Sequence, residues 1–402
     1  MTEPSPTYPM KRASGCPFDP APGLRELAPV SQVSLWDGTS PWLVTSYDAQ
    51  RAVLSNPTIS SDWSRPGFPH RTESDSVLAG RNSGPKSFPR MDNPEHDVHR
   101  RMLTKDFTAK RMEALRPKIQ RIVDGKIDQL LAGPKPVDLV SAFALPIPSL
   151  VICELLGVPY TDHDFFQQRS ASLLSRDATP EQNRLASQEL HGYLLDLVAA
   201  KDAEPADDLL SRLVVEQMRP GTLSRFEVVG MGLALLIAGH ETTANMIALG
   251  TVALLQNPDQ LAEIRDTDDP KLVANAVEEL LRYLTIAHSG SRRVATEDFE
   301  VDGTLIKAGD GVIIANEIAN RDKSAFPDPD HLDIHRQARH HLAFGYGIHQ
   351  CAGQLLARVE LQVVYATLYR RIPTLALAIP LADVSYKEDM NVYGVHSLPV
   401  TW

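Results

Sequence analysis

The stretch "HLAFGYGIHQCAG", residues 341–353, decides how the rest of this sequence is interpreted. It places Cys351, one of only three cysteines in 402 residues, behind a glycine-rich turn and directly before a predicted helix. The start of a helix offers unpaired N–H groups and a dipole that favours an anion. Gly345, Gly347 and Gly353 allow the backbone to fold tightly and to aim N–H groups at the sulfur. The segment therefore predicts a stabilised thiolate.

These local features leave three other kinds of site open. A thiol nucleophile with His349 as its base is the first. A zinc site built from His341, His349 and Cys351 is the second, although no CxxC or HxxxH partner completes a tetrahedron. A buried structural cysteine is the third.

Composition and charge exclude several function classes. A net charge of −11 argues against nucleic acid as the main partner, because phosphate binding needs a basic footprint. The three cysteines, which include Cys16 and Cys153, are far apart and odd in number, so we expect no disulfide framework and a cytoplasmic location. The N-terminus lacks an apolar h-region, and the longest apolar run, 228–238, is too short to span a bilayer. We expect neither a signal peptide nor a membrane anchor.

The sequence pattern predicts a mainly α fold with a minor β portion. Residues 1–30 form an irregular lead-in, and 31–402 form a single domain. Apolar residues recur at three- and four-residue spacing from 94 to about 264, which is typical of helices. Residues 291–316 alternate apolar and polar types and predict a small antiparallel sheet.

Two segments near the N-terminus are expected to have less regular structure. Asp37-Gly38, between two short β-like runs, predicts a hairpin. Residues 61–90 are rich in Ser, Gly, Pro and Arg, and a loop of that length is usually functional or disordered.

A long central helix is predicted from Ser224 to about Gln256. Ser224 and Glu227 form a capping box, and the first half of the helix is apolar all round and must be buried. The polar run "GHETTAN", 239–245, then interrupts it. Either neighbours satisfy this polar patch, or the helix opens locally there to order water and deliver protons.

The pattern Phe-Gly-x-Gly-x-His-x-Cys-x-Gly over 344–353 resembles the haem-binding loop of the cytochromes P450, the haem-thiolate monooxygenases. The resemblance implies a helical bundle around a long central helix with small antiparallel sheets. It makes Cys351 the axial ligand of a haem b iron, packs Phe344 and Gly353 near it, and sets His349 against a haem propionate.

The run Ala238-Gly239-His240-Glu241-Thr242 resembles the oxygen-activating motif of the same family. By this resemblance Gly239 leaves a groove for O2, Thr242 hydrogen-bonds the bound oxygen, and Glu241 relays protons. These three are the candidate catalytic residues.

Glu279 and Arg282 match the Glu-x-x-Arg motif of the family. They lie between the central helix and the cysteine loop, which is also the order in the family. The resemblance implies that this pair locks the core behind the loop. We expect Arg336 to be the third partner, or else His335.

Haem propionates require cations or hydrogen-bond donors. By resemblance these are His96, Arg100, Arg293 and His349. The expected substrate pocket includes Ala234, Ile237, Ile286, Ala287, Val392 and Tyr393.

The function implied by the resemblance is insertion of one atom of O2 into a C–H bond of a bulky hydrophobic molecule, of polyketide, macrolide, statin-like lactone or sterol type. The sequence has no flavin or nicotinamide fingerprint and no iron–sulfur cysteine cluster, so we expect a ferredoxin and its reductase as electron donors. Their predicted docking residues are Arg101, Lys105, Lys110 and Arg358. We expect a monomer without nucleic acid or membrane partners. A peroxide-using peroxygenase and a non-catalytic haem-binding sensor are the alternatives.

Overall fold

The computed structural model describes residues 5–12, 16–81 and 86–402. The α-helices in these ranges, in chain order, are α1 Pro22–Arg25, α2 Tyr47–Ser55, α3 Glu73–Arg81, α4 Glu95–Thr104, α5 Ala109–Ala132, α6 Pro146–Leu156, α7 His163–Leu174, α8 Pro180–Ala203, α9 Leu209–Leu213, α10 Arg225–Leu255, α11 Pro258–Asp266, α12 Pro270–Leu284, α13 Asn316–Ala319 and α14 Gln354–Arg371.

The strands are short. In chain order they are β1 Val30–Gln32, β2 Trp42–Val44, β3 Ile59–Ser60, β4 Val137–Asp138, β5 Ser291–Ala295, β6 Phe299–Val301, β7 Thr304–Ile306, β8 Gly311–Ile314, β9 Ala376–Leu377, β10 Ser385–Tyr386, β11 Val395–Ser397 and β12 Pro399–Thr401. The mainly α class with a minor β portion is therefore confirmed.

The helix α10 is the long central helix that the sequence predicts. Ser224 caps it: its side chain accepts a hydrogen bond from the backbone N–H of Glu227, and the Glu227 carboxylate accepts one from the backbone N–H of Ser224. This reciprocal capping satisfies donors that would otherwise be unpaired at the helix start. The helix packs against α6, α8 and α14, and most of its residues are buried. It therefore passes through the main hydrophobic core.

The largest sheet has the strand order β1-β2-β8-β5-β3. The hairpin predicted around Asp37-Gly38 is present as antiparallel β1 and β2. The predicted small antiparallel sheets are present, and one pair in the largest sheet differs, because β2 pairs with β8 in parallel. A short-range sequence pattern shows only hairpin partners, whereas these two strands lie more than 250 residues apart.

The segment 61–90 is more ordered than a loop. It contains α3 and a short 3-10 helix, Phe88–Arg90. The Ser74 hydroxyl in α3 donates a 2.7 Å hydrogen bond to the carbonyl of Ala178, which ties this segment to the α7–α8 connection. Residues 82–85 lie outside the described residues.

The lead-in 1–30 is mostly irregular over the residues that the structure describes, but it includes α1 and the first residue of β1. Across the same described ranges, no helix is both long and apolar enough to cross a membrane.

Candidate functional site

A cavity of about 450 Å³ lies between α10 and the loop that carries Cys351. The Cys351 side of the cavity is formed by the loop and the start of α14. The opposite side is formed by α10, with Ala238, Gly239 and Thr242. Its size is in the range of small-molecule sites.

The Cys351 loop is held in shape by its own backbone. The Cys351 N–H donates to the Phe344 carbonyl at 2.9 Å. Gly347 has a positive φ of 71°, and a Cβ there would lie 2.2 Å from the carbonyl oxygen of Leu54 in α2, so only glycine fits. Burial raises the pKa of the Cys351 thiol, whereas the N–H groups of Gly353 and Gln354 oppose that rise. The thiol thus faces the cavity with donors already aimed at it, as expected from its position before a helix.

Behind this loop lies an ion-pair network that the sequence analysis missed. Arg358 donates to both carboxylate oxygens of Glu278, at 2.6 and 3.0 Å, and lies 4.6 Å from the centre of the Phe344 ring. His341 contacts the same carboxylate at 3.1 Å. Burial alone would raise the pKa of Glu278, but the hydrogen bonds from His341 and Arg358 bring it to about 2. These contacts place the Arg358 guanidinium against the Phe344 ring, which packs beside Cys351.

This network corrects two expectations. Arg358 was expected on a ferredoxin-docking surface, but its guanidinium is largely buried and bound to Glu278. His341 was a ligand of the alternative zinc site, but it is engaged by Glu278. Of the other docking candidates, Arg101 pairs with Asp97, and Lys105 pairs with Glu216.

Glu279 and Arg282 form a fully buried, bidentate pair with two distances of 2.7 Å. Arg336 donates to the same carboxylate at 3.2 Å. His335 pairs instead with Glu263 at the surface. The carboxylate of Glu279 therefore has two arginine partners, and both belong to the predicted set.

Arg282 is connected to the cysteine loop through Asn320. Arg282 donates to the backbone carbonyl of Asn320 at 2.8 Å. The Asn320 side-chain oxygen in turn accepts the backbone N–H of Leu342 at 2.7 Å, at the start of the loop. Two hydrogen bonds thus link the buried pair to the segment that positions Cys351.

Four side chains predicted to hold propionates line the cavity: His96, Arg100, Arg293 and His349. None of the four forms an ion pair with any carboxylate in the part of the chain that the structure describes. Burial, reinforced by the neighbouring cations, lowers the pKa of His349 to about 3, and the His96 Nε2 atom is buried without a partner. Arg100 and Arg293 each donate to a backbone carbonyl, and His349 contacts the Ser61 hydroxyl, so these side chains have hydrogen bonds but no anionic partner among the described residues. Cations and donors at the cavity wall that lack a carboxylate partner fit the two propionates of a haem.

Arg292 and Arg293 point to opposite faces of β5, as alternation along a strand requires. Only Arg293 lines the cavity. His99 and Arg101, the neighbours of Arg100 in α4, contact Glu227 and Asp97 rather than the cavity.

The polar run of α10 does not open the helix. The helix is continuous from Arg225 to Leu255, and polar side chains of this run bond back to its own carbonyls. The Thr242 hydroxyl donates to Ala238 at 2.8 Å, and the His240 Nδ1 donates to Leu236 at 2.6 Å. Of the two alternatives, the local opening is therefore not seen; the polar run is satisfied in part, and the His240 Nε2 atom remains buried without a hydrogen-bond partner in the described part of the chain.

Glu241 and Thr242, which form the predicted acid–alcohol pair, are oriented differently. Thr242 lines the cavity, with its hydroxyl proton committed to Ala238, so its oxygen presents lone pairs to the cavity. Glu241 does not belong to the cavity lining. Its carboxylate lies 3.3 Å from the ammonium of Lys387 and accepts a 3.4 Å hydrogen bond from the Asn245 amide. The contact with Lys387 was not predicted from the sequence.

Gly239 lies in the cavity wall, but the space beside it is filled. A Cβ at Gly239 would lie 2.7 Å from two carbons of Ile152 in α6. This glycine therefore allows α6 and α10 to pack closely, while the groove for O2 stays a prediction.

We expect Gly239→Ala to lower the free energy of unfolding by about 1–3 kcal/mol, because the added methyl group overpacks against Ile152. The matched control is Gly230→Ala in the same helix, where a Cβ meets nothing within 4 Å. It should raise stability by about 0.5–1 kcal/mol through helix propensity alone. Urea unfolding measures both, and equal effects of the two variants would refute the packing explanation.

The predicted substrate pocket is partly correct. Ala234, Ile286, Ala287 and Val392 line the cavity. The two other candidates do not. Ile237 packs against the main core, and the buried Tyr393 ring stacks against Tyr386 under the guanidinium of Arg12.

The sequence analysis missed several apolar residues of the cavity wall. They come from separate elements and carry no local motif: Phe88, Phe107, Ile152, Leu235, Met246 and Leu281. They share only an apolar side chain, and because 43% of the residues are hydrophobic, that feature does not distinguish them from the core.

The comparisons with known proteins agree with this geometry. A family model described as Cytochrome P450 matches residues 181–372. Cytochrome P450 GfsF of Streptomyces halstedii is 54% identical, with the match covering 100% of this chain and 97% of that protein. Pentalenic acid synthase of Streptomyces avermitilis is 50% identical over the full length of both chains.

Solved structures show the same likeness in three dimensions. The crystal structure of GfsF has a TM-score of 0.92 and 53% identity, and the match covers 99% of this chain and 100% of that one. The mycinamicin VIII C21 methyl hydroxylase MycCI of Micromonospora griseorubida also has a TM-score of 0.92, with 40% identity and the same coverage.

Proposed function

Because this chain belongs to the cytochrome P450 family and is a haem-thiolate monooxygenase, we propose that it hydroxylates a bulky lipophilic molecule of macrolide or terpenoid type. The single observation that supports this most is the cavity itself. One wall carries the Cys351 sulfur, the opposite wall carries Thr242, and the space between is bounded by apolar side chains from several elements.

The substrate class rests on the cavity wall and on the relatives. Phe88, Phe107 and Leu235, with Ile286 and Val392, offer aromatic and aliphatic contacts. Relatives of this chain include a mycinamicin hydroxylase, a protein solved with filipin I and pentalenic acid synthase. An apolar wall of this kind selects substrates by shape and burial of apolar surface.

Cys351, His96, Arg100, Arg293 and His349 would hold the haem, by its iron and its propionates. The bound haem supplies the oxygen-activating chemistry, to which a thiolate ligand contributes electron density. The apolar walls exclude water from the reacting centre.

Thr242 and Glu241 would manage protons. The Thr242 oxygen accepts hydrogen bonds at the cavity wall, because its own proton is donated to Ala238. Glu241, the next residue, holds a carboxylate just outside that wall. In this arrangement the Glu241 carboxylate takes up a proton from outside the cavity and passes it to the Thr242 oxygen, and Thr242 releases its own hydroxyl proton into the cavity. General acid–base assistance of this kind contributes about 10²–10⁴-fold.

We further propose that electrons come from a ferredoxin and its reductase, since the sequence carries no flavin, nicotinamide or iron–sulfur fingerprint. The cytoplasm is the proposed location, because three widely spaced cysteines suit a reducing compartment.

The experiment that tests the function supplies the haem-loaded protein with a ferredoxin, its reductase, NADPH and ¹⁸O-labelled dioxygen, together with macrolide and terpenoid probes that include filipin I and mycinamicin VIII. We expect a probe to shift the haem absorbance on binding and its product to carry one ¹⁸O atom. Product oxygen that comes from water would contradict the proposal. Turnover with hydrogen peroxide but none with the ferredoxin, its reductase and O2 would contradict it too, and would favour the peroxygenase.

We expect Thr242→Ala to divert electrons into hydrogen peroxide, because the cavity wall loses its hydrogen-bond acceptor. Glu241→Gln should slow turnover by about 10 to 1,000-fold, because an amide cannot exchange a proton. The measurement is NADPH consumed against hydrogen peroxide released. Turnover of both variants at the wild-type rate, with wild-type coupling, would remove the acid–alcohol pair from the mechanism.

A further inference from the structure

Glu241 is held by a residue 146 positions away in the chain. Lys387 follows strand β10, and its backbone N–H donates to the Gly394 carbonyl at 2.9 Å, which closes the base of the turn before β11. Its side chain is about one-tenth exposed, and its ammonium lies 3.3 Å from the Glu241 Oε2 atom. This C-terminal turn, residues 387–394, therefore places a cation directly against Glu241, the proton-handling acid.

The turn and the central helix are fitted to each other at this point. A Cβ on Gly394 would lie 2.1 Å from the side-chain oxygen of Asn245, so the turn needs glycine there to leave room for the amide. The amide nitrogen of Asn245 donates to the same Oε2 atom that Lys387 contacts. Two donors from different elements thus fix one carboxylate oxygen.

Lys387 has no second carboxylate in the described ranges of the chain, and Glu241 has no second cation. Buried charges need a partner, because removal from water costs each of them several kcal/mol. The ammonium and the carboxylate are therefore each other's only charge compensation. This makes Lys387 the main determinant of where the Glu241 carboxylate rests.

The same turn also forms part of the cavity wall. Val392 lines the cavity, and the backbone N–H of Tyr393 donates to the carbonyl of Ile286, another wall residue, at 2.7 Å. The N–H of Asn391 donates to Leu174 at the end of α7, at 2.8 Å. A substrate that presses on Val392 therefore contacts the segment that carries Lys387.

We propose that Lys387 is a positioning residue for Glu241: its ammonium holds the carboxylate just outside the cavity wall, beside Thr242. The inference rests on the proposed function, in which Glu241 handles protons, and it adds the residue that sets the carboxylate's place. Without Lys387 the buried carboxylate loses its cation, and burial then favours its neutral form.

The test uses the haem-loaded protein with Lys387→Met, which keeps the length of the side chain and removes the charge, and with Lys387→Arg, which keeps the charge. NADPH oxidation is measured with a ferredoxin, its reductase and O2 as the only oxidant, in H2O and in D2O. We expect Lys387→Met to slow the reaction by at least about 10-fold and to enlarge the D2O effect. Lys387→Arg should recover most of the rate.

The Glu241→Gln background separates positioning from a general structural role. If Lys387 acts through Glu241, adding Lys387→Met to Glu241→Gln should change the rate by less than about 2-fold, since coupled residues are not additive. Multiplied effects in the double variant, or a wild-type rate in Lys387→Met alone, would overturn the proposal. Lys387→Gln, which retains a hydrogen-bond donor, replaces the methionine variant if that variant fails to bind haem.

Infrared spectroscopy gives a readout independent of turnover. Burial raises the pKa of Glu360 well above its usual value and that of Glu317 to about 7, so the wild type already has protonated carboxyl groups at neutral pH. In the difference spectrum against the wild type, one additional C=O stretch of a protonated carboxyl group should appear in Lys387→Met and be missing from Lys387→Met with Glu241→Gln. No new band in Lys387→Met would overturn the inference. If Glu241→Gln leaves the rate unchanged while the band behaves as expected, the proton role of Glu241 fails but Lys387 still sets its charge.

Discussion

Replacement of Cys351 by serine should abolish oxygenase turnover, leaving no product above that of the haem-free protein. Cys351 is the cysteine whose sulfur faces the cavity, opposite Thr242. A serine hydroxyl is not deprotonated by the N–H groups of Gly353 and Gln354 that favour a thiolate at this position. The electron density that a thiolate gives to haem iron is then lost. The measurement is product formed per NADPH consumed at matched haem content.

The two other cysteines provide the controls. Burial raises the pKa of Cys153 to about 12, which keeps it a neutral thiol in the core, and Cys16 packs at the edge of that core. Cys16→Ala and Cys153→Ala should both retain turnover and the haem spectrum. A variant at either position that loses them while Cys351→Ser does not would show that Cys351 is the wrong ligand.

Arg282→Met should lower the free energy of unfolding by about 3–5 kcal/mol, because it leaves the fully buried Glu279 carboxylate with an incomplete set of partners. The partners of the carboxylate that remain are Arg336, at 3.2 Å, and the backbone N–H of Asp333, at 3.0 Å. The backbone carbonyls of Asn320 and Pro329 also lose their donor. Since Asn320 anchors the start of the cysteine loop, we expect the variant to retain less haem. Urea unfolding and the haem-to-protein absorbance ratio measure the two effects.

The matched control is Arg219→Met, which breaks the partly exposed pair of Arg219 with Asp202. Exposed pairs contribute little, so the change should stay below about 1 kcal/mol, with haem content unchanged. Equal losses of unfolding free energy in the two variants would mean that the buried Glu279–Arg282 pair stabilises the fold no more than an exposed pair does.

The parts of the fold that the sequence predicted well are those specified by neighbouring residues. The capping box of Ser224 and Glu227 marks the start of α10, and the glycines around Cys351 mark the loop. In each case the residues that decide the structure lie within a few positions of one another. The helix α3 was missed, because its Ser-, Gly- and Arg-containing sequence has little apolar periodicity.

The parts that the sequence could not predict depend on contacts between distant segments. Nothing around Lys387 indicates that it meets Glu241, and nothing around Arg358 indicates that it faces Glu278 rather than solvent. A charged residue on a helix is usually at the surface. Burial of these side chains follows from how α10, α12, α14 and the C-terminal turn pack together.

The central claim, that the Cys351 thiolate binds the haem iron, is tested most directly by X-ray absorption at the iron edge. The haem-loaded wild-type protein should show one sulfur atom bound to iron in addition to the four porphyrin nitrogens. The Cys351→Ser protein should show no sulfur. A wild-type spectrum with only nitrogen and oxygen neighbours, or a sulfur neighbour that persists in Cys351→Ser, would contradict the account.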